Sequence, residues 1–200
     1  YCTLRKGKIT LNIDDSPLQP SAAVVVAGKR FEERYRQQLD AIRKELGEGR
    51  RVMVFPWHTE LMPRLKRIIE AECRARVVIL DAEKVPSKKR EKWIDTHVVK
   101  AGADVLLVNP VAVQTGLNNL VYFSTVVWYE NPGCNPQVRR QAQGRIYRIG
   151  QTQPVRMYTL YYADTAQELM HELLLYKVGI SEAVDGLDPK GALEAAGVGE

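Results

Sequence analysis

Unbroken apolar stretches of strand length constrain this chain more than any other feature. Val52-Met53-Val54-Phe55, Val77-Val78-Ile79-Leu80, Val105-Leu106-Leu107-Val108 and Thr125-Val126-Val127-Trp128-Tyr129 are each four or five residues long. A strand with one wet face alternates polar and apolar; a strand apolar throughout is covered on both faces. Amphipathic segments lie between them. Phe31, Tyr35, Leu39, Ile42 and Leu46 recur at three- and four-residue steps, which predicts a helix ended by Gly47 and Gly49. A second helix runs through Leu61, Leu65, Ile68 and Ile69. A third, with Ser87 as its cap, carries Trp93, Ile94 and Val98 and stops at Gly102. A fourth is expected from Pro136 to Ile149, ended by Gly150, before a strand from Val155 to Tyr161. Thr165-Ala166-Gln167-Glu168 is a capping box opening a last helix through Leu169, Leu173 and Tyr176. The alternation predicts an α/β fold, a mostly parallel sheet with helices on both faces. Ligands of such sheets bind at the carboxyl ends of the strands, here the loops after Phe55, Val108 and Tyr129.

The flanks read differently. Residues 3–13 alternate weakly around Lys6-Gly7, as in a hairpin; Asp14 to Pro20 reads as a linker, and Ala22 to Val26 as a short strand. We therefore expect three parts: a hairpin and linker over 1–28, the α/β unit over 29–182, and an acidic, Gly/Ala-rich tail over 183–200. Tyr1, rather than Met, opens the chain with no signal segment behind it, as expected of a piece of something longer.

Several function classes drop out. No apolar run reaches the roughly 18–20 residues of a membrane span. Cys2, Cys73 and Cys134 lie far apart without a C-x-x-C spacing, and His58, His97 and His171 form no H-E-x-x-H pattern. No metal site and a reducing, cytoplasmic setting are the expectation. The phosphate loop G-x-x-x-x-G-K-[ST], the dinucleotide loop G-x-G-x-x-G and a Ser nucleophile elbow are all missing from the sequence. Residues 1–151 hold 26 Lys and Arg against 16 Asp and Glu, whereas residues 152–200 hold 3 against 8. A basic body with an acidic end suits a polyanion partner, or is a solvated surface that happens to be basic.

The richest chemistry is in Gln141-Ala142-Gln143-Gly144-Arg145-Ile146-Tyr147-Arg148-Ile149-Gly150-Gln151. On a helix, Gln141, Arg145 and Arg148 fall within about 60° of one another, with Ala142, Ile146 and Ile149 on an adjacent stripe facing the sheet. Two permanently charged forks one turn apart suit a polyphosphate; an exposed helix with scattered arginines reads equally well from spacing alone.

This stretch resembles motif VI of superfamily-two helicases, in the form found in Swi/Snf-like DNA translocases, with Tyr147 where those usually have His. Val105 to Asn109 followed by Gln114-Thr115-Gly116-Leu117-Asn118 resembles motif V. Val126 to Pro132, then Asn135-Pro136-Gln137, resembles the segment leading into motif VI, and Val52 to Thr59 resembles motif IV. The resemblance covers residues 50–180. It implies the C-terminal RecA-like lobe of a two-lobed, DNA-dependent ATPase, and it explains the missing phosphate loop. ATP and its Mg2+ are then held mainly by an N-terminal lobe of the same polypeptide. Arg148 is the expected arginine finger and Arg145 a phosphate or closure contact, with Gln141, Gly116 and Asn118 on the nucleotide side. His58, Thr59, Asn109 and Gln114 are candidates for the backbone of DNA, with duplex favoured, and Lys88 and Lys89 belong to a basic cluster with the same potential use. A binding module derived from such a lobe, and an RNA helicase lobe, are the alternatives. A phosphate loop upstream, and stimulation by DNA against RNA, separate them.

Departures from the family pattern at Gln114-Thr115, Asn119 and Gly133-Cys134 point to a divergent branch, of bacterial, phage or mobile-element type in a nucleoid setting.

Overall fold

The computed structural model describes the backbone of residues 2–5, 8–11, 23–27, 31–114, 117–130, 135–162 and 165–184, and side chains between 36 and 180 within those stretches. The expected turn residue Gly116 and the tail beyond residue 184 lie outside them.

The strands are β1 (Cys2–Arg5), β2 (Lys8–Leu11), β3 (Ala23–Ala27), β4 (Val52–Phe55), β5 (Val77–Leu80), β6 (Val105–Val108), β7 (Thr125–Trp128) and β8 (Arg156–Tyr161). They form one sheet in the order β2-β1-β3-β8-β7-β4-β6-β5. Only β1 with β2 is antiparallel, the hairpin expected around Lys6-Gly7; every other pairing is parallel. β3 precedes the expected start of the α/β unit, yet it pairs along its whole length with β8, Val24 opposite Tyr158 and Val26 opposite Leu160.

The helices are α1 (Phe31–Gly47), α2 (Met62–Cys73), α3 (Ser87–Ile94), α4 (Pro136–Gln143) and α5 (Ala166–Val184). The continuously apolar strands divide by parity. Met53, Phe55, Leu106, Val108, Val126 and Trp128 face a core closed by Ile94, Val98, Leu117, Leu120, Ala142 and Ile146. Val52, Val54, Val105, Leu107 and Val127 face a second core built with Leu39, Ile42, Leu65 and Ile69 of α1 and α2. Period-2 side chains thus explain why both faces of these strands are apolar, with Thr125 at the start of β7 the exception. Each buried Leu or Ile contributes about 1.5–3 kcal/mol.

An ionic knot fixes α1 on the sheet. The fully buried carboxylate of Glu45 accepts from Thr125 Oγ1 (2.6 Å), Arg156 Nη1 (3.0 Å) and the Tyr158 hydroxyl, and Arg50 Nε lies 2.8 Å away. Arg50 also donates to the Ser124 carbonyl at 2.6 Å and to that of Pro154. Burial alone would raise the Glu45 pKa, but the hydrogen bonds from Thr125, Tyr158 and Arg156 outweigh it and hold the carboxyl below its ordinary value.

Three expectations need correction. Ser87 does not cap α3: Pro86 occupies the cap position without a side-chain bond, and its carbonyl accepts from Lys89 N–H at 2.8 Å. α3 then passes into a single π-helical turn, Asp95–Val99, before Gly102 ends the segment at φ +66, a conformation costly for any residue with a Cβ. The third correction bears on the site. The helix expected over 136–149 stops at Gln143, capped by Gly144. Residues 145–147 continue in tight turns onto the carbonyls of Ala142 and Gln143. Ala142 and Ile146 are buried as expected, but Ile149 is fully exposed. Arg145 and Arg148 are therefore not on a helical stripe. Tertiary bonds of their side chains place them.

Candidate functional site

Two groups of the expected residues assemble. The first lies where β4, β6 and β7 end. Trp57 and His58 follow β4, Asn109 follows β6, and Glu130 follows β7, so parallel strands bring three loops to one edge. Asn109 donates from Nδ2 to the Trp57 carbonyl (2.8 Å) and accepts at Oδ1 from Val111 N–H (2.9 Å), capping the one-turn helix Pro110–Val113. Glu130 Oε2 accepts from the N–H groups of Trp57 (2.9 Å) and His58 (3.0 Å), and its Oε1 lies 2.8 Å from His58 Nδ1. The Glu130 hydrogen bond and charge raise the His58 pKa above its ordinary value. The exposed His58 ring and Thr59, which opens a short 3-10 turn, face solvent on a loop pinned from two neighbouring strand ends.

The second group is the arginine turn. Arg145 Nη2 donates to the Gln114 carbonyl. Arg148 Nη1 donates to Asn118 Oδ1 and, at 3.4 Å, to the Leu117 carbonyl. Asn118, Arg145 and Arg148, all expected on the nucleotide side, therefore come together although not through a helix, and Gln114, expected with His58, Thr59 and Asn109, joins them through its carbonyl. Their segments are the two that lead to the amino ends of β7 and β8. Among the described residues neither arginine forms an ion pair; their acceptors are carbonyls and one amide, so each keeps a full positive charge for an anion. Gln151 locks the turn from behind, donating to the carbonyls of Phe123 (2.8 Å) and Val121 (3.1 Å). Gln141 is exposed on α4, away from these bonds, and Lys88 and Lys89 are exposed in the first turn of α3.

Sequence reading passed over the residues that hold these groups. Arg90 follows Lys88 and Lys89 in the sequence but does not share their exposure. Instead it donates to the carbonyls of Val85 (3.0 Å), Ala82 (3.1 Å) and Ala112 (2.9 Å). Glu91 accepts from Asn118 N–H at 3.2 Å, and its carbonyl accepts from Asn119 Nδ2 at 2.8 Å. Arg139 is buried, with Nη2 on Thr159 Oγ1 (3.0 Å) and its guanidinium 5.7 Å from the centre of the Trp128 ring. Glu130 had a local signal, an acidic residue directly after an apolar strand. Glu91 and Arg139 had none, because their partners lie 20 or more residues away.

Comparison with known proteins identifies the family. Residues 36–150 match the helicase conserved C-terminal domain. The mouse SWI/SNF-related matrix-associated actin-dependent regulator of chromatin subfamily A member 1 is 31% identical over 141 residues, 68% of this chain and 13% of that protein. The bovine DNA excision repair protein ERCC-6-like is 26% identical over 148 residues, 74% of this chain and 12% of that protein. The chain thus spans 12–13% of the length of these curated relatives. Both are animal proteins, and the expected bacterial or mobile-element branch draws no support from them. Among solved structures, the C-terminal part of the Fun30 ATPase domain superposes with a TM-score of 0.62 at 22% identity, over 71% of this chain and 45% of that one. The C-terminal domain of the DEAD-box protein Dbp5 gives 0.61 at 16% identity, over 79% and 85%. These two likenesses concern the fold, which is RecA-like. The family match takes in β4 to β7 and the whole arginine turn, and with it the chain belongs to the helicase conserved C-terminal domain family, as a Swi/Snf-like C-terminal lobe.

Proposed function

We propose that this chain is the second ATPase lobe of a DNA-dependent translocase, with residues 29–182 as the lobe proper and 183–200 as an acidic tail. ATP lies in a cleft between this lobe and an N-terminal RecA-like lobe of the same polypeptide. In this reading the magnesium that accompanies ATP is held mainly by that other lobe. This lobe's part is electrostatic. Arg148, resting on Asn118 and Leu117, extends to the γ-phosphate as the cleft closes and stabilises the charge that develops on transfer. Arg145 contacts phosphate or holds the closed form, with Gln141, Gly116 and Asn118 lining the nucleotide side.

The observation that carries this reading is the pair of arginines gathered on carbonyl and amide acceptors, with no carboxylate paired to either guanidinium among the described residues. Neutral acceptors hold a guanidinium in place weakly enough to release it to a phosphate, which accepts in a stronger, charge-assisted bond. DNA is contacted through its backbone by His58, Thr59, Gln114, Lys88 and Lys89. Asn109 takes part by fixing the loop that carries His58. Such contacts grip without reading sequence, as movement along duplex DNA requires.

The test is ATP turnover by the two-lobed protein with and without duplex DNA, beside its Arg148→Ala variant. DNA stimulation, and loss of turnover by about 10³ in the variant, is the expected result. Normal turnover by Arg148→Ala refutes the role and favours a binding module; stimulation by RNA alone favours an RNA helicase.

A further inference from the structure

The geometry points to Glu91 as a positioning residue for the arginine finger, an inference that rests on the ATPase reading above. Arg148 does not approach a phosphate from open solvent. It rests on Leu117 and Asn118, and where those two residues sit decides where the guanidinium starts. Two adjacent residues of α3 hold the described residues on either side, 112–114 and 117–119. Arg90 Nη1 donates to the Ala112 carbonyl at one end (2.9 Å). Glu91 Oε1 accepts from Asn118 N–H at the other (3.2 Å), and the Glu91 carbonyl accepts from Asn119 Nδ2 (2.8 Å). Arg90 is itself anchored on the Val85 and Ala82 carbonyls, so the clamp belongs to the body of the lobe.

Between the two ends lie the three acceptors of the motif VI arginines: Gln114 O for Arg145, and Leu117 O and Asn118 Oδ1 for Arg148. The Glu91 carboxylate fixes the peptide that bears the Asn118 side chain, and so aims the amide oxygen that receives Arg148. A charged acceptor on a backbone N–H holds that plane more firmly than water would. Glu91 touches no substrate. It acts through Asn118 on Arg148, and the side chain must reach across from α3 to do so, which makes chain length more important than charge.

The experiment uses the two-lobed protein at saturating duplex DNA, with Glu91→Ala, Glu91→Asp and Glu91→Gln examined alone and in the Arg148→Ala background, and with melting temperature measured for each. Glu91→Ala and the shortened Glu91→Asp should lower kcat about tenfold with KM for ATP little changed, the rate equivalent of one charge-assisted hydrogen bond. Glu91→Gln, which keeps an acceptor at the same reach, should restore most of it. In the Arg148→Ala background Glu91→Ala should cost nothing further, since both act on one group. If Arg148→Ala abolishes turnover while Glu91→Ala and Glu91→Asp turn over normally, this inference is wrong and the ATPase reading stands. An additive loss in the double variant also overturns it, by showing that Glu91 acts elsewhere. If Arg148→Ala itself turns over normally, the ATPase reading fails and this inference falls with it.

Discussion

Holding His171 neutral in the fold should destabilise this lobe within the mildly acidic range. His171 lies on α5, 3% exposed, with its ring centroid 4.9 Å from that of Tyr161 and no hydrogen-bond partner for Nδ1 among the described residues. Burial, and then the nearby Arg139 charge, push its pKa down to about 3 from the 6.5 of a free imidazole. Folded His171 therefore stays neutral while the unfolded chain takes up a proton. The native pKa is the lower one, so this stability is complete above pH 6.5 and is lost as pH falls towards 3. Between pH 7.5 and 5.5 the unfolded state gains about 1.4 kcal/mol from this one group. His58 acts in the opposite sense, since its pKa is raised: its small stabilisation is present at low pH and disappears as pH rises through the folded value. Urea unfolding of the full chain at pH 7.5, 6.5 and 5.5, followed by far-ultraviolet circular dichroism, measures the sum. The His171→Phe variant keeps a ring against Tyr161 and cannot titrate, while His58→Gln removes the opposing contribution. His171→Phe should lose about 1.4 kcal/mol less than wild type over this interval. If wild type and His171→Phe lose stability equally, His171 is not a buried neutral imidazole and the reasoning is wrong.

Glu45→Ala should destabilise the lobe by about 3–5 kcal/mol in denaturant unfolding, because it strands the Arg50 charge in a site only 9% exposed. The Glu45 pKa is lowered in the fold, so the same contribution is present in wild type above the ordinary carboxyl value and is lost on acidification through the folded one. Lys88→Ala with Lys89→Ala in the two-lobed protein should reduce the slope of log affinity for duplex DNA against log salt by about 2. An unchanged slope would remove these lysines from the interface.

The sheet was legible because burial on both faces leaves a local mark: four apolar residues in a row allow no other economical reading. The helix over 136–149 was legible only in its first two turns. Periodicity placed Ala142 and Ile146 in the core correctly, but it extrapolated the same phase to Ile149, which stands fully in solvent. The bonds that take Arg145 and Arg148 off the helical path end on residues about 30 positions earlier. Sequence spacing carries no record of such a bond. The same holds for Glu91 on Asn118 and Glu130 on His58, 27 and 72 residues apart. A local rule found the cap at Thr165, whose hydroxyl accepts from Gln167 N–H at 3.2 Å, and misjudged Ser87, one residue from the true cap. Motif order, by contrast, survived a mistaken secondary structure, since it depends on which residues are present and not on the path between them.

The knot at Glu45 has a mechanical consequence. Two surfaces in apolar contact can slip, because dispersion hardly depends on direction; bonds aimed at one carboxylate from β7, β8 and the loop after α1 cannot tilt without breaking together. The outer layer and the sheet beneath it are therefore stiff against shear along the strands. Under the ATPase reading proposed above, that stiffness passes any movement of the lobe to its surface rather than losing it in sliding between the layers.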